Sequence, residues 1–302
     1  MAIKEGVLRT DDDRFENLPD WPYLPNYIDD LPGYEGLRAH YIDEGDKNAE
    51  RVFLCLHGEP SWAYLYRHMI PHFLNSGARV VAPDFFGFGR SDKPIDDATY
   101  TFNFHRDYLL AFIERLNLKN VTLVCQDWGG LLGLTLPHDM PDRFARLIVM
   151  NTTIAIGKPA GKGFDAWRDY VANTPDFPVG QLMKRSSPHL SEAEVAAYDA
   201  PFPDDSYKAG VRRFPQLVMT DPDMNGVETS KKALEFWQNE WQGQSFMAIG
   251  MQDPVLGPPA MKALAGIIKN CPEPMEIEEG GHFVQEWGGE IAPAALKHFG
   301  DI

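Results

Sequence analysis

Short apolar runs rich in β-branched residues recur along the chain: 52–56 (VFLCL), 79–83 (RVVAP), 121–125 (VTLVC), 146–150 (RLIVM), 245–250 (SFMAIG) and, more weakly, 274–278 (PMEIE). Several are apolar on both faces, as strands are when a parallel sheet is covered on both sides. Segments with helical spacing lie between them. In 103–117, for example, Phe104, Tyr108, Leu109, Phe112 and Leu116 recur mostly at steps of three and four. Alternating strand and helix predict an α/β fold with a mostly parallel central sheet flanked by helices. The segment 37–43 (LRAHYID) alternates in polarity and is expected to be an antiparallel edge strand.

The alternation stops after Asn151. From 152 to 222 the pattern is helical, loop-rich and dotted with proline, and strand patterning resumes near 245. A structureless loop of that length is uncommon in a compact domain. Residues 152–222 are therefore expected to form a helical cap, with 1–151 and 223–302 forming the main domain.

Composition narrows the function. A chain of 302 residues with 44% hydrophobic content can bury a large core. Its net charge of −16 repels nucleic acid and acidic membrane surfaces, so neither is expected as a partner. Cys55, Cys125 and Cys271 are odd in number and lack metal-ligand spacing. No metal or other cofactor is expected, and a reducing cytoplasm is the simpler setting. The N-terminal stretch has no apolar core or small-residue cleavage site, and no apolar run approaches the roughly 20 residues that cross a bilayer.

The run VTLVCQDWGGLLGLTLP carries the most chemistry. A buried strand ends at Cys125, a helix is expected to have begun by Gly129, and Asp127 sits in the tight turn between them. This is the nucleophile-elbow layout G-x-S-x-G with aspartate in the serine position, and small residues at Cys125 and Gly129. The amide of Trp128 can there stabilise an oxyanion. Taken alone, Asp127 could equally be an N-cap. In LCLHGEPSW a strand runs into His57-Gly58-Glu59-Pro60, a turn that can aim the Glu59 amide into the same site; His57 reads as structural. IGMQDPVLG places Asp253 just after a strand, and GGHFVQEW places His282 after two glycines. Nucleophile, acid, histidine is the chain order of α/β-hydrolase triads.

An aspartate nucleophile changes the chemistry. A carboxylate is already an anion at neutral pH and can attack an sp³ carbon directly. The histidine would then activate water against the resulting ester, with the acid orienting it. A departing halide needs donors, and an indole N–H is a donor with no competing acceptor. Trp128 is adjacent to the nucleophile, and Trp167 is the only tryptophan between 152 and 222.

HGEPSWAYLYR, DFFGFGRSDKP, QDWGG, GFDAWRDY, FWQNEWQGQSFMAIGMQD and GHFVQE together resemble the haloalkane dehalogenase family, in particular its first subfamily, over nearly the whole chain. The resemblance implies an α/β-hydrolase fold with a helical cap after the sixth strand. It implies Asp127 as nucleophile, His282 as base, Asp253 as acid, and Trp128 and Trp167 as halide ligands. It also implies a pocket lined by Phe164, Phe214, Pro215, Val218 and Leu131. The expected partners are a small apolar halogenated alkane and the halide ion, with the chain acting as a monomer. Glu59 stands where the second subfamily has an asparagine, and Asn151 stands where that subfamily has its acid. Leu131 replaces a phenylalanine of the 1,2-dichloroethane enzyme, and the stretch from Asn151 to Phe164 is shorter than in that enzyme, so substrate range is open.

Two alternatives stay open. An epoxide hydrolase would share the aspartate nucleophile and use two cap tyrosines, for which Tyr170, Tyr198 and Tyr207 are candidates. A non-catalytic binding protein on the same scaffold would keep the pocket without turnover. Fluoroacetate dehalogenase is disfavoured by Trp128, which stands where an arginine is needed, and serine esterase by aspartate at position 127.

Overall fold

The computed structural model describes residues 3–302. Its strands are β1 (Val7–Leu8), β2 (Asn26–Ile28), β3 (Ala39–Glu44), β4 (Val52–Leu56), β5 (Arg79–Pro83), β6 (Lys93–Pro94), β7 (Val121–Gln126), β8 (Phe144–Met150), β9 (Gln244–Gly250) and β10 (Met275–Ile277). Eight of these form one sheet in the order β10-β9-β8-β7-β4-β5-β3-β2, while β1 and β6 pair separately. The strands from β10 to β5 run parallel, and β3 and β2 are antiparallel additions. All residues of β4, β5 and β7 are buried, which accounts for their mostly apolar character; Arg79, Thr122 and Gln126 are the polar members.

The expected strand at 37–43 is β3, antiparallel as its pattern indicates, but it is not an edge. The short β2 pairs outside it, and four of its six residues are buried. The sequence gives little sign of β2, because three residues (Asn26–Ile28) are too few to show a period.

The helices are α1 (Ile70–Asn75), α2 (Phe102–Arg115), α3 (Asp127–Gly133), α4 (Leu136–Asp139), α5 (Lys162–Asn173), α6 (Val179–Ser186), α7 (Glu192–Asp199), α8 (Ala209–Leu217), α9 (Val227–Asn239), α10 (Pro258–Ile267) and α11 (Gly288–Phe299). The predicted amphipathic helix is α2. Thr101 caps it by accepting from the Phe104 amide, and Tyr108, Leu109 and Phe112 lie on its buried face. Among the described residues no helix is long and apolar enough to cross a membrane.

Strand order reverses at β4, whose neighbours are β5 on one side and β7 on the other. The chain leaves the carboxyl ends of adjacent parallel strands in opposite directions at such a point, which opens a crevice there. His57–Gly58–Glu59 follows β4 and Asp127 follows β7, so both loops face that crevice.

Helices α5–α8 form the cap between β8, the sixth strand of the large sheet, and β9. Polar anchors tie it to the main body. The Trp62 indole donates to the Ala197 carbonyl at 3.1 Å, and the Thr10 hydroxyl donates to that of Pro201 at 2.7 Å. The strongest anchor is Arg67, whose side chain is fully buried. Its guanidinium binds both oxygens of Glu286 at 2.8 and 2.7 Å and reaches Glu194 of α7 at 2.8 Å. Tyr198, also on α7, donates to Glu286. The short helix after His282 is thereby clamped to the cap.

Deleting one partner of a buried, hydrogen-bonded ion pair leaves the other charge uncompensated. Arg67→Met is expected to destabilise the fold by about 3–5 kcal/mol in urea unfolding. Replacing Arg67 and Glu286 together by apolar residues should cost less than the sum of the two single changes.

Candidate active site

Asp127 occupies the left-handed region with φ of 49°, which disfavours most side chains and which aspartate tolerates better than they do. Two contacts hold it there. Its amide donates to the Asn151 carbonyl at 3.0 Å, and the Thr152 hydroxyl donates to its carbonyl at 2.7 Å. Helix α3 begins at Asp127 itself, earlier than Gly129. The flanking glycines are steric requirements. A Cβ on Gly129 would lie 2.0 Å from the Leu56 carbonyl oxygen, and one on Gly58 would lie 2.6 Å from Cβ of Asp127.

The carboxylate is divided between two neighbours. The Glu59 amide donates to Oδ1 at 2.8 Å, while Oδ2 lies 3.5 Å from Nε2 of His282. The expected second amide is less engaged: no hydrogen bond from Trp128 N–H to this carboxylate is found among the described residues. Asp127, Asp253 and His282 lie side by side. His282 Nδ1 donates to Asp253 Oδ2 at 2.7 Å. That oxygen also accepts from the Asn151 side chain at 2.9 Å, and Asp253 Oδ1 accepts from the amides of Val255 and Leu256 at 2.8 and 3.1 Å.

These contacts set the electrostatics. Burial works against the charged form of Asp253, but the charge and hydrogen bond of His282, the Asn151 amide and the Val255 amide hold its pKa far below the usual carboxylate value. Burial likewise opposes a charged His282, yet Asp253 and Asp127 outweigh it and raise the imidazole well above its ordinary value. Burial, and next the charge of Asp127, push the Glu59 carboxyl well above its usual range. One of its oxygens has no hydrogen-bond partner, as suits a neutral acid.

Two residues near the triad went unassigned from sequence. Asn151, read only as unable to replace the acid, clamps Asp253 and also accepts from the Gly250 amide at 2.8 Å. Gln126, noted only as a neighbour of Asp127, is buried and places its side-chain nitrogen 3.0 Å from both Nε2 and the carbonyl oxygen of His282. Neither residue type carries a signal of its own; only the sheet geometry brings them to the site. His57 is turned away to backbone partners: its Nε2 accepts from the Phe85 amide at 3.0 Å, and Nδ1 contacts the Gly58 carbonyl at 2.9 Å.

Trp128 is buried and packs against Phe214 with ring centroids 4.5 Å apart. Trp167, on α5, stacks with Tyr170 and meets the edge of Phe177, and its side chain lies near the Glu59 carboxyl and helps to lower that group's pKa. Phe164, Phe214, Pro215, Val218 and Leu131 are all buried. The tyrosines do not gather as an epoxide-activating pair. The Tyr198 hydroxyl is bound to Glu286 and Arg67, and Tyr170 is 45% exposed.

A family model described as the alpha/beta hydrolase fold matches residues 51–289. The chain is 44% identical to a haloalkane dehalogenase of Psychrobacter cryohalolentis, covering 97% of both chains. It is 41% identical to one of Mycolicibacterium paratuberculosis, covering 96% of this chain and 97% of that one. Among solved structures, the tetrameric haloalkane dehalogenase DpaA from Paraglaciecola agarilytica superposes with a TM-score of 0.96 at 57% identity, covering 98% of this chain and 99% of that one. With its elbow aspartate, its acid–histidine pair and this degree of likeness along its full length, the chain belongs to the haloalkane dehalogenase family of the α/β-hydrolase fold.

Proposed function

We propose that the chain hydrolyses small haloalkanes to an alcohol, a halide ion and a proton through a covalent ester on Asp127. The observation that carries this is the asymmetry of the Asp127 carboxylate, with Oδ1 held by the Glu59 amide and Oδ2 free to attack beside His282. Oδ2 displaces halide from carbon, and the new C–O bond leaves an alkyl ester. His282 then takes a proton from water, and the hydroxide adds to the ester carbonyl. The resulting oxyanion develops where the Glu59 amide already donates, and the Trp128 amide joins it as the second donor. Collapse of that adduct expels the alcohol and restores the carboxylate. Asp253 orients the ring and balances the imidazolium.

The halide leaves into the indole N–H groups of Trp128 and Trp167. Phe164, Phe214, Pro215, Val218 and Leu131 line the apolar pocket, for which the contact of Phe214 with Trp128 is the direct support. In this scheme 152–222 is the cap domain, and 1–151 with 223–302 is the main domain that holds the triad. The three free thiols support a cytoplasmic setting. The triad is drawn from one chain, which is compatible with an active monomer; the tetrameric relative offers the other assembly, and sedimentation velocity distinguishes the two.

His282→Gln is expected to keep the alkylation step and lower steady-state turnover by about 10²–10⁴-fold. Mass spectrometry with 1,2-dibromoethane or 1-bromobutane should find a substrate-sized adduct on Asp127; continued halide release with no adduct would contradict the route. Bromide should quench tryptophan fluorescence in the wild-type enzyme, and Trp167→Phe should weaken bromide binding. An unchanged affinity would remove Trp167 from the halide site. Because the charge of Asp127 helps to stabilise the imidazolium, Asp127→Asn should lower the pKa of His282 in an NMR titration. A value that stays put or rises would contradict that coupling.

A further inference from the structure

Gln126 is buried between the nucleophile and the base, and the route above gives it no task. Its orientation is fixed by its neighbours. The carbonyl oxygen of His282 only accepts, so the Gln126 group 3.0 Å away must be its NH₂. At the other end, the Gln285 side chain donates to Gln126 Oε1 at 3.3 Å. The same NH₂ lies 3.0 Å from His282 Nε2. One of its hydrogens serves the carbonyl and the other is available to the ring nitrogen. Gly58 closes the remaining side, since a Cβ there would meet Gln126 Oε1 at 2.7 Å.

We propose that Gln126 is a positioning residue for the hydrolytic step: its side-chain amide donates to His282 Nε2 and keeps that nitrogen a proton acceptor. A protonated Nε2 would set N–H against N–H across 3.0 Å. This opposes the other groups around the ring. Asp253 and Asp127 favour the imidazolium, and Glu59 lies close by. From α6 the uncharged Ser186 approaches, its hydroxyl accepting from the Phe283 amide at 3.4 Å. Glu286, farther along the same segment, is neutralised by Arg67. Gln126 is thus the donor at the ring that counters two carboxylates. Esterification of Asp127 removes one of them, and the Gln126 contact then keeps Nε2 ready for water, which takes over the lone pair while the carbonyl anchor stays in place.

This inference rests on the covalent route proposed above, and the test separates the two. Rapid-quench halide release and steady-state turnover of a bromoalkane are measured across pH for wild type, Gln126→Met and Gln126→Glu. The covalent route itself requires a halide burst and an Asp127 adduct in at least the His282→Gln enzyme; without these, the route fails before Gln126 is considered. Methionine keeps the length and loses the donor, so its burst should persist. Hydrolysis should slow by about tenfold at neutral pH, and its acid limb should move up by about one unit. Glutamate adds an anion and should move the limb further in the same direction. Limbs at the wild-type position overturn the assignment, whatever the rate. So does loss of the burst in both variants, which would make Gln126 necessary for alkylation or folding and not for the base.

Discussion

The left-handed turn at Asp127 is the constraint on which the rest of the site depends. Such a backbone costs about 1–3 kcal/mol for a non-glycine residue and persists only where surrounding contacts over-determine it. Here they come from the ends of the neighbouring strands: the Asn151 carbonyl, the Thr152 hydroxyl, and the Leu56 carbonyl that leaves no room for a side chain at Gly129. The turn lifts the carboxylate into the crevice at the strand-order reversal. The Glu59 amide meets it there from β4, and the imidazole approaches from the loop after β10. Without the turn, Asp127 would be an ordinary helix cap at the end of a strand.

Three carboxyl groups crowd one imidazole, and their surroundings set them apart. Asp253 accepts from His282, Asn151, Val255 and Leu256 and stays charged. Glu59 is buried with an oxygen unpartnered, and burial together with the charge of Asp127 pushes its carboxyl well above the usual carboxylate range. Asp127 keeps one oxygen tied and one free. On the proposed covalent route the site would change its charge balance when alkylated, because an ester at 127 no longer supports an imidazolium at 282, which would release the base for the second step.

Most of this was legible in the chain. The apolar runs located the parallel strands, because strands covered on both faces carry little else. The elbow showed because a sharp strand-to-helix turn demands small residues at fixed offsets. Asp253 and His282 showed through their order and their strand-end positions. What failed to show lacks period or chemical distinctiveness. β2 is too short to alternate, so the pattern makes β3 read as an edge. Asn151 and Gln126 are amides of a kind found anywhere, and their partners lie about 100 residues or more away, at Asp253 and His282. The Arg67–Glu286–Tyr198 clamp likewise joins three distant segments and has no local motif.

The central claim is that oxygen reaches the product by way of Asp127. A single turnover in H₂¹⁸O with enzyme in excess over a bromoalkane tests it most directly. Attack of water on the ester carbonyl predicts unlabelled alcohol in that turnover and one ¹⁸O in the Asp127 side chain. Labelled alcohol with an unlabelled Asp127 would mean that water displaces the halide itself, and would contradict the account.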